Sequence, residues 1–168
     1  MWLVLAAPAV GTARAELSIE SVQWQAAHPV KGRPQRFEDI GELPAAPPKL
    51  GAKLRAMLRL KNRGPKRVEG ILLRYSLTAR LGPLKGGEEG IWSVPFLIEE
   101  RRVPKVGANQ FFEVPLEPSA LLELYLRKTV RAGFWPDELK LQVMLEPHRG
   151  AVETISPMES ILPVRRLP

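Results

Sequence analysis

From Lys53 to Lys61 the chain reads KLRAMLRLK, an unbroken alternation in which Leu54, Ala56, Leu58 and Leu60 point one way and Lys53, Arg55, Met57, Arg59 and Lys61 the other. A strand alternates its side chains with period two and a helix repeats every 3.6 residues, so this stretch is a strand with one apolar and one wet face. A second alternation, RVEGILLRYSLTARL from Arg67 to Leu81, sets Ile71, Leu73, Tyr75, Leu77, Ala79 and Leu81 against Arg74, Ser76, Thr78 and Arg80. Between the two runs, Asn62-Arg63-Gly64-Pro65 supplies turn chemistry. Gly64 permits a positive φ there, Pro65 fixes the next dihedral, and Gly70 is a candidate bulge position. Half-buried strands of this kind need a second layer to cover their apolar faces.

The remaining segments supply that layer. Leu17–Trp24 alternates as a first strand, and Ile91–Ile98 (IWSVPFLI) follows as a strand that Pro95 confines to a sheet edge. Gln110–Leu116 carries Phe112, Val114 and Leu116 on one side, and Glu138–Glu146 carries Leu139, Leu141, Val143 and Leu145. Ser119 is expected to cap a helix over Ala120–Ala132 with a stripe of Leu121, Leu122, Tyr125 and Val130, ended by Gly133. Val152–Ile155 and Ile161–Val164 are candidate closing strands. Prolines at 29, 34, 44, 47 and 48 turn residues 28–48 into a long surface connection, with Phe37 and Ile40 as its tethers. The expected fold is mainly β: an antiparallel two-sheet immunoglobulin-like sandwich with one short crossover helix.

At the front of the chain, WLVLAAPAV (Trp2–Val10) precedes Ala13-Arg14-Ala15, the small-x-small pattern that signal peptidases cut. The expected mature start is Glu16, with residues 1–15 as signal peptide and 16–168 as a single domain. The basic segment that usually opens a signal is missing before Trp2, which a start upstream of Met1 would explain. The apolar run is too short to span a bilayer, so no transmembrane segment is expected. The reading places the protein in the periplasm or outside the cell, in a bacterial envelope.

The run Leu58-Arg59-Leu60-Lys61-Asn62-Arg63-Gly64, followed by Val68-Glu69-Gly70-Ile71-Leu72-Leu73-Arg74-Tyr75, resembles the "apolar-x-apolar-x-Asn-x-Gly, then Val, then an alternating strand ending near Tyr" pattern of bacterial immunoglobulin-like modules, notably cell-adhesion-related and FxLYD-type domains. Val103–Gln110 resembles their loop before the next core strand. The resemblance covers Lys53–Glu146. It implies a sandwich fold and a role in extracytoplasmic interaction, and it implies no catalytic residue.

The chemistry-bearing residues are few. The chain contains no Cys, which removes disulfides, thiolate metal sites and cysteine nucleophiles, and only His28 and His148 remain as imidazoles. No serine sits in G-x-S-x-G, and each His lies beside Pro or Arg in a turn-like context. Glu88-Glu89 and Glu99-Glu100 are adjacent pairs on a Gly-rich turn and at a strand end, where solvated charge is the ordinary role. Gly82, Gly86, Gly87 and Gly90 form no phosphate-binding pattern. No enzyme activity, cofactor or metal is therefore expected. Trp24 and Trp92 are read as core, with Phe134 and Trp135 packing on the helix end; the competing reading lines a ligand groove with these aromatics.

Charge is the informative irregularity. The whole chain carries +7, yet Lys49–Arg80 alone holds ten basic residues against the single Glu69, a local excess of +9. The candidate binding residues are Lys53, Arg55, Arg59, Lys61, Arg74 and Arg80. Two readings stand: Lys and Arg that protect a sheet from edge pairing, or a surface for an anionic envelope ligand such as lipopolysaccharide, an acidic polysaccharide or anionic lipid. A protein or other envelope component is the partner under the broader reading of a non-catalytic interaction or assembly module. Nucleic acid is not the expected anion, because the leader points outside the cytoplasm and the basic face lacks interleaved aromatics.

Overall fold

The two alternating runs become central strands of two different sheets. The computed structural model describes residues 17–28, 35–87, 89–146 and 157–168; the leader, the start at Glu16 and the expected strand at Val152–Ile155 lie outside the described residues. In chain order the elements are β1 (Leu17–Ala27), β2 (Glu38–Asp39), β3 (Leu43–Ala45), β4 (Lys53–Asn62), β5 (Val68–Pro83), β6 (Ile91–Trp92), β7 (Leu97–Val106), β8 (Phe111–Leu116), α1 (Ser119–Arg131), β9 (Phe134–Leu145) and β10 (Met158–Arg166). One sheet has the order β2-β1-β4-β8 and the other β3-β10-β9-β5. The far edge of β5 is shared, with β7 along Val68–Leu77 and β6 at Arg80 and Leu81. These pairings are antiparallel, with one exception: β3 runs parallel to β10.

The protein is thus a mainly β, two-sheet sandwich with one short helix, and a single buried cluster draws on both sheets. Leu54, Ala56, Leu58 and Leu60 of β4 are buried, as are Ile71, Leu73, Tyr75, Leu77 and Ala79 of β5, so the inward faces are those that period two assigns. Each fully buried leucine contributes about 1.5–3 kcal/mol. The indole N–H of Trp24 in β1 donates to Ser160 Oγ in β10 at 3.1 Å, a bond from one sheet to the other.

Asn62 is more deeply buried than the other buried polar residues, Thr78 and Thr129, and the turn chemistry depends on it. Its side chain is fully buried. Nδ2 donates to the carbonyls of Lys66 (2.8 Å), Gly107 (2.9 Å) and Val106 (3.3 Å), while Oδ1 accepts from the Gly64 N–H at 2.9 Å. The β4–β5 and β7–β8 turns are therefore joined through one amide. Gly64 does not use the positive φ that glycine permits, and its N–H is held by the Asn62 side chain. Gly70 does have φ +65°, but the β5–β7 register runs through it unshifted from Glu69↔Lys105 to Ile71↔Val103, so it is no bulge. The irregularities fall at Ile19/Ser21 in β1 and at Arg80/Leu81 opposite Asp137 in β9.

Several other expectations are corrected. The connection 28–48 is not confined to the surface: Leu43 and Ala45 of β3 are buried, and they tie it down more firmly than the half-exposed Phe37 and Ile40. The run Ile91–Ile98 is no continuous strand; β6 stops at Trp92, β7 begins at Leu97, and the N–H groups of Ser93 and Phe96 keep contact with the Ala79 and Leu77 carbonyls. Trp92 is partly exposed with Lys140 Nζ 4.5 Å from its ring, and Phe134 is also exposed, whereas Trp24 and Trp135 are core. In α1 Leu122, Leu126 and Thr129 are buried and Tyr125 and Val130 pack against the core as expected, while Leu121 faces out. Pro118, not Ser119, occupies the N-cap position.

Candidate functional site

The six candidate cations do not share one surface. Lys53, Arg55, Arg59 and Lys61 project from β4 on the outer face of the first sheet, whereas Arg74 and Arg80 project from β5 on the outer face of the second. A +9 segment that reads as a single basic patch is divided between opposite sides of the sandwich.

The two groups have different electrostatic surroundings. Arg74 pairs with Glu100 at 2.6 Å and with Glu146. The hydrogen bond from Arg74 to Glu100, followed by the nearby charge of Glu146, holds the guanidinium pKa above its ordinary value. Arg80 pairs with Glu89 and lies 3.6 Å from Glu138. Each β5 arginine thus faces two carboxylates, and its charge is locally balanced.

The β4 cations have neutral partners instead. Lys53 Nζ donates to Gln35 Oε1 at 3.3 Å, and Arg55 Nε donates to Gln25 Oε1 at 2.6 Å. Gln25 in turn donates to Asp39 Oδ1 at 2.7 Å, while the Arg55 guanidinium lies 3.9 Å from the Phe37 ring centroid. Arg59 and Lys61 both approach the Phe111 ring, at 4.0 Å and 3.8 Å, and Lys61 also donates to the Asn109 carbonyl at 3.1 Å. Among the described residues none of these four cations forms an ion pair. Ring contacts of this kind contribute about 0.5–1 kcal/mol at exposed positions and fix the direction of a charge without cancelling it. Acids borne by this sheet include Asp39, which accepts from Gln25, Glu113, opposite Arg59 in the β4–β8 register, and Glu20 at the β1 irregularity, which pairs with Arg63.

Phe37, Phe111 and Gln25 are the participants that the basic run does not disclose. They correct the expectation that the basic face lacks aromatics, since β8 and the segment before β2 bring rings to it from elsewhere in the chain. The alternation of β8 carries the signal for Phe111: with Phe112, Val114 and Leu116 on one side, Phe111 falls on the other, across from Lys61. Among the described residues no group of three His, Cys, Asp or Glu side chains could hold a metal ion, and no helix is long and apolar enough to cross a membrane. His28 is exposed, and His148 and Glu88 lie outside the described residues.

No family model matches the chain, and no curated protein matches it. Among solved structures, a crystal structure of a protein from Archaeoglobus fulgidus is similar to 89% of this chain and 100% of its own, at 14% identity and a TM-score of 0.37. A likeness at that level has no bearing on function.

Proposed function

We propose that the protein is a non-catalytic interaction module of the bacterial envelope, secreted or periplasmic, that holds an anionic polymer on the outer face of its β2-β1-β4-β8 sheet. The observation that carries this reading is the contrast between the two faces: Lys53, Arg55, Arg59 and Lys61 have neutral partners, while Arg74 and Arg80 are each held by two carboxylates. Residues two apart on a strand are separated by about 7 Å, so Lys53 with Arg55 and Arg59 with Lys61 form two closely spaced pairs with Met57 between them, a row of charge suited to a linear polyanion. The strand order supports an immunoglobulin-like reading of the sandwich, with β1, β4 and β8 in one sheet and β5, β7, β9 and β10 in the other.

The test is retention on an anionic polysaccharide matrix over a salt gradient. Exposed charges are screened over about 10 Å at 0.1 M salt, so retention of the parent falls steeply as salt rises. The triple variant Arg55→Glu, Arg59→Glu, Lys61→Glu loses retention and keeps its fold, because the fold depends on the opposite face. The variant Arg101→Glu, Arg102→Glu, Lys105→Glu makes the same charge change on β7 and leaves retention nearly intact. Equal loss in both variants, or no retention of the parent at low salt, overturns the reading.

A protein partner is favoured by a separate observation. From β6 to the start of β7 the chain exposes Ile91 (70%), Val94 (80%) and Ile98 (72%), with Trp92 partly exposed, and exposed large apolar side chains on one sheet edge favour an interaction surface. Binding through this edge resists salt and is abolished by Ile91→Lys together with Val94→Lys.

A further inference from the structure

The strands at the sheet edges are of unequal length. β2 and β6 have two residues each, β3 has three, and β8 has six with Pro115 among them. β7 has ten, and among the described residues it pairs with β5 alone. One side of β7 therefore presents a long row of unpaired N–H and C=O groups, a template to which a further strand can add.

The side chains of β7 select that strand. Over Leu97–Val103 (LIEERRV) the odd positions lie opposite Leu77, Tyr75, Leu73 and Ile71 of β5, all buried, and so share the inward face, while Ile98, Glu100 and Arg102 share the outward one. The charges of this stretch cancel, with both acids placed before both bases. An antiparallel second copy reverses the order, so that the acids of one strand run against the bases of the other. Directly opposite residues share a face of the sheet, so the twofold axis passes through a residue and not between Glu100 and Arg101. With the axis at Glu100, Glu99 faces Arg101 of the second copy, twice by symmetry, and Leu97 faces Val103. The two Glu100 side chains then meet on the axis, but each is already held by its own Arg74 at 2.6 Å. An axis at Arg101 sets two arginines together instead, and among the described residues neither Arg101 nor Arg102 has an ion pair to offset that.

We propose that β7 pairs antiparallel with β7 of a second copy of this chain about a twofold axis at Glu100, which joins two sheets into one. The contact is one strand wide, below the size of stable protein–protein interfaces, so the dimer is reversible and depends on concentration. It does not rest on the polymer surface, which lies on the other sheet.

Sedimentation equilibrium over a wide range of protein concentration tests it, and the mean mass of the parent rises towards that of two copies. Arg101→Glu with Arg102→Glu makes the strand wholly acidic, and Glu99→Lys with Glu100→Lys makes it wholly basic. Each variant alone associates about tenfold more weakly or worse, because like charges then stand opposite one another. An equimolar mixture of the two associates again, since positions 99, 100 and 101 of the basic strand then face carboxylates. The chain contains no Cys, so a single introduced cysteine reports the register. Glu100→Cys crosslinks to itself on oxidation, its Cα atoms being about 4.5–5.5 Å apart across the axis. Ile98→Cys does not, because it faces position 102 of the second copy and its own counterpart lies roughly 13 Å along the strand. The acidic variant keeps polymer binding when compared with the parent at concentrations where the parent is monomeric, so the two readings fail separately.

A parent that stays monomeric at every concentration overturns the proposal and leaves the edge to a different chain. So does association of either charge variant at the parent's strength, a folded mixture that stays monomeric, or crosslinking of Ile98→Cys as fast as Glu100→Cys. The basic variant gives up the contacts of Glu99 with Tyr75 and of Glu100 with Arg74. If circular dichroism shows it unfolded, the acidic variant and the two cysteine variants decide.

Discussion

Asn62→Ala removes the amide that joins the two turns. The parent side chain satisfies three carbonyls and one N–H, and of these contacts the ones to the Val106 carbonyl and the Gly64 N–H are buried. The Lys66 and Gly107 carbonyls are only partly buried and can take water in its place. Leaving a buried donor or acceptor unpaired costs about 1–3 kcal/mol per group, so two such groups give a loss of about 2–6 kcal/mol. For a chain of this size that lowers the melting midpoint by roughly 4–24 °C. Asn62→Asp tests the geometry further. One carboxylate oxygen still receives the Gly64 N–H, but the other faces the carbonyls that Nδ2 served. Burial among carbonyls favours the protonated acid, so the folded-state pKa of the new carboxyl lies above its unfolded value of about 3.9. The folded variant therefore holds a proton that its unfolded chain has released. Stability is greatest below about pH 4 and is lost as pH rises towards the folded pKa. Thermal melts followed by circular dichroism at about pH 3.5 and pH 7, each referred to the parent at the same pH, measure both effects. A midpoint for Asn62→Ala within about 2 °C of the parent, or a deficit for Asn62→Asp that does not grow with pH, refutes the account of the hub.

Leu58→Ala and Leu73→Ala each empty a fully buried position on facing sheets, and each should cost about 2–5 kcal/mol in denaturant unfolding; parent-like curves for both would refute the assignment of inward faces. Tyr75 is buried and donates its hydroxyl to Glu99, and burial first, then that hydrogen bond, raises its pKa above the ordinary phenol value. Its contribution is therefore complete below about pH 10 and is lost as pH rises beyond that, so Tyr75→Phe should flatten the alkaline fall in stability seen by urea titration between about pH 9 and 11.

What sequence reading resolves here is local, and what it misses depends on long-range pairing. Alternation places Leu54, Ala56, Leu58 and Leu60 inward because a strand's faces follow from its own residues. The sheet to which β4 and β5 belong does not follow in that way: β4 pairs with β1 and β8, and β5 with β9 and β7. The charge total over Lys49–Arg80 accordingly merges two surfaces, and it leaves out Glu100, Glu146, Glu89 and Glu138, which balance one of them from distant positions in the chain. Leu43 and Ala45 lie within a proline-rich stretch whose composition masks a three-residue strand. Trp92 is classed with the core by residue type, yet it lies in a two-residue strand at the sheet edge, which leaves it partly exposed.

The parallel pairing of β3 with β10 bears on the order in which the molecule can be completed. Leu43, Pro44 and Ala45 align with Val164, Arg165 and Arg166, and the Leu167 N–H donates to the Ala45 carbonyl at 2.8 Å. During synthesis on the ribosome, β1 and β4 can pair as soon as both have emerged, but β3 must wait until β10 has followed. Closing so long a loop carries an entropic cost and slows folding. Until β10 emerges, Leu43 and Ala45 remain without that strand partner, and the nascent chain depends on whatever shields that stretch. A stalled or shortened product therefore exposes an early segment as well as the late one it lacks.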